Sequence, residues 1–365
     1  MRKFAFTPLE AIGKRERDRM SLTGFMIVIL IIIILGISKS AVSFSPRERS
    51  FLIEEKIILK NISKDIGNLR VWVPYPVSDN WQAIDDFKLT APFKADVIMD
   101  KEYGNRILIF KSKKDATYNM PLQITLSYIT KRREYGASGD LEASSKNLPR
   151  FLKADRLVPV NGEIKKLAGE ITQGKNNDLE KARAIYDYLI DELTYSKDDP
   201  KVCGIGDSLL TLQYLKGICT DYHSLFISLV RSLGIPAKFE IGFPIPADKE
   251  EGRINGYHCW AKFYIKGEGW IPVDISEADK HPEKKDYFFG HIDENRVHFT
   301  TGRDLRVKYA KDEDTLPLNF FIYPYVELNG KQVKIIDFEI SFKEFKGGDK
   351  YGKLLRFREG KAGKI

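Results

Sequence analysis

Three residues in this chain have side chains that together suit acyl transfer by a thiol: Cys219, His258 and Asp274. In such chemistry a thiolate attacks a carbonyl carbon, an imidazole moves the proton, and a carboxylate holds the imidazole in orientation. The three residues follow one another along the chain in that order of roles. The sequence therefore predicts Cys219 as nucleophile, His258 as general base and then acid, and Asp274 as the orienting group.

Cys219 stands at the predicted start of an apolar helix that runs to about residue 233 and ends at Gly234. The positive end of a helix lowers the pKa of a thiol, and its free N–H groups can hold an oxyanion. Gly217, which has no side chain, is expected to let a substrate backbone approach closely. The alternative is a buried structural cysteine. The position and the downstream His and Asp favour the nucleophile.

The hairpin between His258 and Asp274 must have a particular loop for the two side chains to meet. We expect residues 238–243, 257–265 and 269–275 to form strands of one antiparallel sheet. A two- or four-residue turn would place His258 and Asp274 on opposite faces of that sheet. A three-residue loop, 266–268, pairs residue 265 with residue 269 and places both side chains on one face. A triad therefore predicts an odd loop or a bulge.

Each residue near this chemistry also has a structural interpretation. His258 could be a histidine of the core, and Asp274 could cap the turn that follows it. Asp221 is expected to complement the helix N-terminus. His223 lies four residues after Cys219, a spacing that two metal ligands can use, but too few further ligands are nearby to form a metal site. We therefore expect neither a metal ion nor a cofactor.

The charge of the chain lies mainly at its two ends. The formal net charge is +8, and residues 1–20 and 343–365 together account for all of it. A neutral body between basic tails argues against a nucleic-acid-binding groove. The hydrophobic content of 43% is enough for a packed core, so a disordered chain is not expected.

A membrane anchor is predicted near the N-terminus. Residues 22–38 are uncharged and dominated by Ile, Leu and Val, a length at the short end of what spans a bilayer. The basic residues before them keep segment 1–21 in the cytoplasm, so the remainder lies outside it. Ala41-Val42-Ser43 also fits a signal-peptidase site, and residues 21–25 resemble a prepilin leader junction. We favour a retained single-pass anchor in the inner or cytoplasmic membrane.

The remaining chain divides by pattern. Residues 50–133 alternate as strands do and predict a β-domain, and the small polar residues within 134–150 predict a linker. Residues 151–345 change to a helical period and then to strands, with a hairpin turn at Asn329-Gly330. Residues 346–365 predict a loose basic tail. Cys203 and Cys259 either form a disulfide or are two buried thiols, which leaves Cys219 free in both cases.

Several motifs resemble the bacterial transglutaminase-like superfamily. They are Gly-x-Cys-x-Asp-x-His-Ser-Leu-Phe (217–226), Leu-Gly-Ile-Pro-Ala (233–237), Gly-Tyr-His-Cys-Trp-Ala-x-Phe-Tyr (256–264) and Gly-Trp-Ile-Pro-Val-Asp (269–274). The resemblance extends over about residues 160–310, and Val-Trp-Val-Pro-Tyr-Pro (71–76) resembles the β-domain that often precedes that core. It implies an α+β fold: a papain-like core whose Cys helix packs on an antiparallel sheet carrying His and Asp, after a β-sandwich-like domain.

The resemblance also implies what the chain does. We expect a membrane-anchored, extracytoplasmic enzyme that uses the triad for amide acyl transfer or hydrolysis through a thioester, as a cysteine peptidase, an amidase or a protein-glutamine acyltransferase. Its expected partners are a protein or peptide amide, an amine acceptor and the membrane. The alternative is a catalytically silent module that binds a peptide or glycan. Animal cross-linking members place a tryptophan near the oxyanion, and Gln213 and Tyr214 are the candidates for that place here.

Overall fold

A computed structural model describes residues 46–60, 67–113, 118, 121–136, 145–308, 315–334 and 336–345. Within those residues the helices are α1 (Glu163–Ile171), α2 (Asp178–Glu192), α3 (Ser208–Tyr214), α4 (Cys219–Ser232) and α5 (Ile275–Lys280), with 3₁₀ helices at Ser145–Leu152 and Pro282–Lys284. The strands are β1 (Glu48–Leu59), β2 (Leu69–Tyr75), β3 (Gln82–Thr90), β4 (Ala95–Met99), β5 (Arg106–Lys111), β6 (Leu122–Arg133), β7 (Tyr135–Gly136), β8 (Thr194–Tyr195), β9 (Lys216–Gly217), β10 (Ala237–Pro244), β11 (Glu251–Arg253), β12 (His258–Ile265), β13 (Gly269–Val273), β14 (His291–Ile292), β15 (Arg296–Thr301), β16 (Leu305–Lys308), β17 (Thr315–Leu318), β18 (Tyr325–Leu328), β19 (Lys331–Gln332) and β20 (Ile336–Phe345).

Helix α4 is the buried centre of the half of the chain that follows residue 150. It starts at Cys219, as the sequence predicts, and its residues are buried along nearly the whole length. Its end also follows the prediction, because Gly234 takes a φ of 84° and its N–H donates to the carbonyl of Arg231 at 3.0 Å. A left-handed glycine at this place satisfies the last carbonyls of a helix.

A four-stranded antiparallel sheet supports α4. The strand order is β13-β12-β10-β15, and β10, β12 and β13 are the three strands expected from the sequence. Apolar side chains of α4 and of the sheet share one core, which includes Leu225, Phe226, Leu229, Ile241 and Phe263. The fold is therefore α+β, with the helix that carries Cys219 packed on the sheet that carries His258.

Two five-stranded sheets form a sandwich in the other part of the structure. Their orders are β11-β20-β1-β6-β3 and β19-β18-β2-β5-β4. Side chains from β1, β2, β5 and β6 fill one core between them, among them Ile57, Val71, Phe110 and Ile124. The expected β-sandwich is present, and the alternation of Val71 and Val73 marks the face of β2 that points into it.

The last strands of the chain complete this sandwich. β20 pairs with β1 over its whole length, and β18 pairs with β2. The predicted turn at Asn329-Gly330 is present, with Leu328 opposite Lys331, but its hairpin extends the sandwich rather than the sheet beneath α4. The described residues from Pro46 onward form one compact unit. The division into domains of residues 50–133 and 151–345 stays a prediction.

Some predicted segments lie outside the described residues. These are the cytoplasmic segment 1–21, the anchor 22–38, the tail 346–365 and residues 137–144 of the linker. In the part of the chain that is described, no helix combines the length and apolar character needed to cross a bilayer.

Candidate active site

Cys219 occupies the first position of α4, and only 3% of its surface is exposed. Ile218, the residue before it, supplies no capping side chain. The first N–H groups of a helix have no partner within the helix. The thiol therefore lies at the positive end of α4, beside backbone donors that a bound oxyanion can use.

Asp221 holds the loop that lies next to Cys219. Its buried carboxylate accepts hydrogen bonds from the N–H groups of Gly204 at 2.6 Å, Gly206 at 2.7 Å and Ile218 at 2.7 Å. Burial raises the pKa of Asp221, and the three N–H donors oppose that rise. The expected role at the helix N-terminus is present, and it extends to the loop at residues 204–206.

Gly217 is a glycine because Asp221 needs the space. A Cβ on Gly217 would lie 2.6 Å from Oδ2 of Asp221 and closer still to its Cβ. This corrects the expectation that the missing side chain leaves room for a substrate backbone. The carboxylate occupies that room, and it is held there by three hydrogen bonds.

The hairpin between His258 and Asp274 has the odd loop that a triad requires. Ile265 pairs with Gly269, which leaves a loop of three residues between them. Gly267 in that loop has a φ of 92°, the left-handed conformation that three-residue hairpin loops use. The prediction about the loop is confirmed.

His258 and Asp274 are in direct contact. Nε2 of His258 lies 2.6 Å from Oδ2 of Asp274. β13 ends at Val273, and Asp274 caps α5, because its Oδ1 accepts the N–H of Glu277 at 3.0 Å. Asp274 therefore makes both contacts expected from the sequence, the one with His258 and the one that caps the turn after it. One carboxylate oxygen faces His258 and the other caps the helix.

The pKa of the Cys219 thiol lies well below its ordinary value. Cys259 and His258 both lower it, and part of the effect of His258 is the attraction of its positive charge. These effects outweigh burial, which opposes ionisation. Because Nε2 of His258 is engaged by Asp274, Nδ1 is the ring nitrogen left for Cys219. The structure thus joins His258 to Asp274, and the pKa of Cys219 responds to His258.

Arg296 is a residue of this site that the sequence reasoning missed. It lies at the start of β15, it is 4% exposed, and its Nη1 donates to Oδ2 of Asp274, the oxygen that also faces His258. Burial lowers the pKa of Arg296 to about 9. A buried arginine needs a carboxylate, but the sequence does not indicate which one.

His223 joins the start of α4 to the segment that carries Asp274. Its Nδ1 lies 2.7 Å from the carbonyl oxygen of Cys219, and its Nε2 accepts the N–H of Ile275 at 3.1 Å. These two partners define a neutral tautomer with the proton on Nδ1. Burial, together with the positive charge of His258, lowers the pKa of His223 well below its usual value.

The metal interpretation of His223 does not fit these contacts, since both ring nitrogens have hydrogen-bond partners. Across the residues that the structure describes, no group of three or more His, Cys, Asp or Glu side chains is arranged to hold a metal ion.

Tyrosines lie around the thiol. Tyr195 pairs with Gly217 in a short parallel ladder, which brings it beside the residues that precede Cys219. The hydroxyl of Tyr257 lies 3.1 Å from Oγ1 of Thr220. Burial raises the pKa of Tyr195 and of Tyr257, and the charge of Cys219 adds to the rise. Both hydroxyls therefore remain protonated donors close to the nucleophile.

The two candidates for an oxyanion-side group are surface residues, and their role stays a prediction. Gln213 and Tyr214 are both exposed at the last residues of α3. Burial and the charge of Cys219 raise the pKa of Tyr195, Tyr257 and Tyr323 instead. The sequence could not select them, because Tyr195 is brought to the site by the pairing of β8 with β9.

The three cysteines are all free and buried. Of the two alternatives for Cys203 and Cys259, the structure has two separate thiols. Cys259 is completely buried, and its sulfur lies 3.7 Å from Nδ1 of His223.

Comparison with known proteins gives the following similarities. Residues 165–275 match the sequence profile of the Transglutaminase-like superfamily. An uncharacterized protein of Haemophilus influenzae is 30% identical over 323 residues, which cover 77% of this chain and 85% of the relative.

Two solved structures are also similar. A proposed cysteine protease from Cytophaga hutchinsonii is 17% identical, with a TM-score of 0.49, over 81% of this chain and 98% of that one. The periplasmic domain of TgpA from Pseudomonas aeruginosa, bound to ethylmercury, is 13% identical, with a TM-score of 0.34, over 64% of this chain and 92% of that one.

Proposed function

Because the chain belongs to the transglutaminase-like superfamily, we propose that it is a papain-like enzyme whose Cys219, His258 and Asp274 transfer or hydrolyse amides through a thioester. The observation that carries the proposal is the 2.6 Å contact between His258 Nε2 and Asp274 Oδ2, in a chain whose Cys219 stands at a helix start and has a lowered pKa. The proposal is supported by the burial of all three groups, whose types suit a nucleophile, a proton carrier and an orienting carboxylate.

In the first half of the reaction the Cys219 thiolate attacks the carbonyl carbon of an amide. The N–H groups at the start of α4 are placed to stabilise the oxyanion of the tetrahedral intermediate. His258 then gives its proton to the departing nitrogen, the carbon–nitrogen bond breaks, and an amine or ammonia leaves. The acyl group remains on Cys219 as a thioester.

In the second half His258 acts as a base. It takes a proton from water or from a primary amine, whose oxygen or nitrogen attacks the thioester carbonyl. The carbon–sulfur bond breaks, and the Cys219 thiolate is restored. Water gives hydrolysis, whereas an amine gives a new amide. The proposed substrates are therefore a protein or peptide amide and, for transfer, an amine acceptor.

The site is proposed to work outside the cytoplasm, on a chain held by the segment at residues 22–38. The support for this is the apolar run and the basic residues that precede it in the sequence. The test is protease treatment of intact spheroplasts: cleavage of the part that contains Cys219 agrees with the proposal. Protection until the membrane is permeabilised contradicts it.

The experiment for the activity uses the full-length protein in detergent and a glutamine-containing peptide, with and without a labelled primary amine. Cys219→Ala should abolish both hydrolysis and amine incorporation. His258→Ala should reduce the rate by about 10²–10⁴-fold, the range for loss of a general acid–base group. Asp274→Asn should cost less than either change, because an orienting carboxylate contributes less than the groups it serves.

The matched control is Cys203→Ala, which removes a buried thiol outside the triad and should leave the rates unchanged. Equal rates in the wild type and in Cys219→Ala would contradict the proposal. Saturable binding of the peptide without turnover, unchanged in all three triad variants, would favour the silent binding module instead.

A further inference from the structure

The strand that carries Arg296 lies at the open edge of the sheet beneath α4. β15 pairs with β10 on one side and is the last strand in the order β13-β12-β10-β15. An edge strand presents backbone N–H and C=O groups that have no partner within its own sheet. Such groups cost free energy when they are buried, unless another donor or acceptor reaches them. β15 therefore needs hydrogen-bond partners from outside the sheet.

Two side-chain amides of the β-sandwich supply those partners. Nε2 of Gln82, in β3, donates to the carbonyl oxygen of His298 at 2.9 Å, and its Oε1 accepts the N–H of His298 at 2.8 Å. Nδ2 of Asn105, just before β5, donates to the carbonyl oxygen of Thr301 at 2.7 Å, and its Oδ1 accepts the N–H of Thr301 at 2.8 Å. Facing residues of an antiparallel pair exchange the same two bonds. Each amide therefore takes the place of one residue of an adjacent strand.

A further bond within the sandwich holds each amide in one orientation. Nε2 of Gln82 also donates to the carbonyl oxygen of Val77 at 3.1 Å, and Nδ2 of Asn105 also donates to Oδ2 of Asp100 at 3.2 Å. Gln82 is completely buried and Asn105 is 5% exposed. Because the nitrogen of each amide has two acceptors, the oxygen is the atom that faces the N–H of β15.

The spacing of the two contacts matches an irregularity in β15. Outward-facing groups of a regular strand recur every two residues, whereas His298 and Thr301 are three residues apart. The register with β10 shifts between them, because Gly242 pairs with His298 and Ile241 pairs with Thr300. This bulge adds one residue to β15. The backbones of both His298 and Thr301 consequently face the sandwich.

The strand held in this way carries Arg296 into the candidate active site. Arg296 lies two residues before His298, and its Nη1 donates to Oδ2 of Asp274, the oxygen that faces His258. The side chains of Arg296 and His298 both contact the ring of Trp260, whose centroid lies 5.9 Å from the guanidinium carbon and 6.0 Å from the imidazole centroid. A displacement of His298 is therefore expected to displace Arg296, through the backbone and through this shared ring.

Charged groups from several parts of the fold face the Arg296 guanidinium. Asp274, before α5, and Asp293, before β15, both accept hydrogen bonds from it. Burial, and after it the charge of Arg132 on β6, lowers the pKa of Arg296, whereas the charge of Cys219 opposes that decrease. Because attracting and repelling groups lie on different sides, the position of the guanidinium sets the field at Asp274 and at the thiol.

We propose that Gln82 and Asn105 are positioning residues of the acyl-transfer site, which complete the open edge of β15 and thereby hold Arg296 against Asp274. Both act through Arg296 rather than on the reacting atoms. The consequence for turnover rests on the proposed function of Cys219, whereas the consequence for the reactivity of the thiol does not. The β-sandwich thus contributes to the site through two amides.

The first test measures whether Gln82 holds the strand. Gln82→Met keeps the length of the side chain and removes both bonds to His298. In the full-length protein in detergent, we expect amide hydrogen exchange in the peptide that contains residues 296–301 to become about five- to tenfold faster. Gln123→Met, at an exposed glutamine of β6, is the matched control and should leave that exchange unchanged. Exchange in Gln82→Met that is as slow as in the wild type would overturn the proposal.

The second test measures whether the position of β15 affects the thiol. The alkylation rate of Cys219 by iodoacetamide is followed against pH in the wild type, in Gln82→Met, in Arg296→Gln and in the double variant. On the acidic limb, Gln82→Met should lower the rate by about two- to fivefold, because the thiolate loses part of its attraction to Arg296. In the Arg296→Gln background the same change should have no further effect, because the group that Gln82 positions is absent.

Two results of this second test would also overturn the proposal. A less stable Gln82→Met with an unshifted acidic limb would give Gln82 a structural role alone. An equal decrease in both backgrounds would show that Gln82 acts independently of Arg296. Circular dichroism checks that Gln82→Met is folded, and Asn105→Leu, which removes the bonds to Thr301, is the second variant if it is not.

The readout is an alkylation rate, so it does not depend on substrate turnover. A shifted limb in a protein that does not turn over an amide would keep the positioning role and contradict only the proposed function. In an active protein, Gln82→Met should lower kcat and leave KM unchanged, because Gln82 acts on the orientation of the site and not on binding of the substrate.

Discussion

Nδ1 of His223 lies 2.7 Å from the carbonyl oxygen of Cys219, one turn earlier on the same helix. The other nitrogen of that ring accepts the N–H of Ile275, the residue after Asp274. One neutral side chain therefore fixes the distance between the residue that carries the thiol and the segment that carries the carboxylate. We infer that His223 positions the site without contacting a substrate.

The change His223→Ala tests this positioning role. It leaves the buried N–H of Ile275 without a partner and creates a cavity. We expect the free energy of unfolding to fall by about 2–4 kcal/mol. The alkylation rate of Cys219 by iodoacetamide should also fall, because the start of α4 is no longer tied to the segment that carries Asp274. Chemical denaturation and quantitative labelling measure the two effects.

The control for His223 is His281→Ala, which removes an imidazole that is about half exposed. It should change neither the stability nor the labelling rate. A loss of stability in His223→Ala without any change in the labelling of the folded protein would contradict the positioning role.

Arg296 is expected to set the pH at which Cys219 becomes reactive. Its guanidinium and the Cys219 thiolate attract each other, and the attraction raises the pKa of Arg296 against the effect of burial. By the same attraction the guanidinium lowers the pKa of Cys219. The change Arg296→Gln removes a positive charge, so the thiolate should be lost at a higher pH than in the wild type.

The measurement is the alkylation rate of Cys219 as a function of pH, which needs no substrate. We expect the acidic limb of that profile to move to higher pH by roughly one unit. Arg253→Gln, at an exposed arginine, is the control and should leave the limb in place. A limb that stays fixed in Arg296→Gln, or moves to lower pH, would show that Arg296 does not act on the thiolate.

Gly217 should not tolerate a side chain. A Cβ there would displace Asp221, whose carboxylate holds three backbone N–H groups around the start of α4. Gly217→Ala should therefore destabilise the protein by about 1–3 kcal/mol, the usual cost of overpacking. Gly169 provides the matched control, since it lies within α1 and a Cβ there meets nothing within 4 Å.

The control predicts a change of opposite sign. Gly169→Ala should stabilise the protein by about 0.5–1 kcal/mol, because alanine is the better helix residue. Thermal unfolding of both variants measures the difference. If Gly217→Ala were as stable as the wild type, the space at Gly217 would not be required to hold Asp221 in place.

Glu55 should make the stability of the protein fall as the pH rises. It is buried in β1, its only described side-chain partner is the hydroxyl of Tyr128 at 2.9 Å, and burial raises its pKa from 4.5 to about 8. Between those values the folded protein holds a proton that the unfolded chain has lost. Each rise of one pH unit in that window therefore favours unfolding, by on the order of 1 kcal/mol.

The change Glu55→Gln removes the titrating group and keeps an acceptor for Tyr128. We expect the slope of unfolding free energy against pH between about 4.5 and 8 to become flatter than in the wild type. Glu54→Gln, at the exposed neighbour, should leave the slope unchanged. If the slope is the same in Glu55→Gln and in the wild type, a group other than Glu55 causes the pH dependence.

The sequence could predict two features of the site. One is set by the local apolar pattern, and the other by whether the number of residues in a hairpin loop is odd or even. The start of α4 follows from an apolar period beginning at Cys219. The odd loop follows because strand side chains alternate, so that a contact between His258 and Asp274 excludes an even loop. Both are properties of a few adjacent residues, and both are confirmed.

The parts that the sequence could not predict depend on pairing between distant segments. β20 joins β1 across most of the chain length, and a strand pattern does not name its partner. Arg296 reaches Asp274 because β15 lies next to β10, and Tyr195 reaches the site because β8 lies next to β9. The bonds of Asp221 to the loop at residues 204–206 and the role of His223 were missed because these side chains bond to backbone groups, which every residue carries.

The proposed mechanism requires that Cys219 carries the acyl group during turnover. The full-length protein is mixed with a glutamine-containing peptide, stopped with acid before one turnover is complete, digested and analysed by mass spectrometry. We expect the acyl part of the substrate to be attached to the peptide that contains Cys219, and to disappear when a primary amine is added before the acid. Product formation with the acyl group on another residue, or with no acyl group on the protein at all, would contradict it.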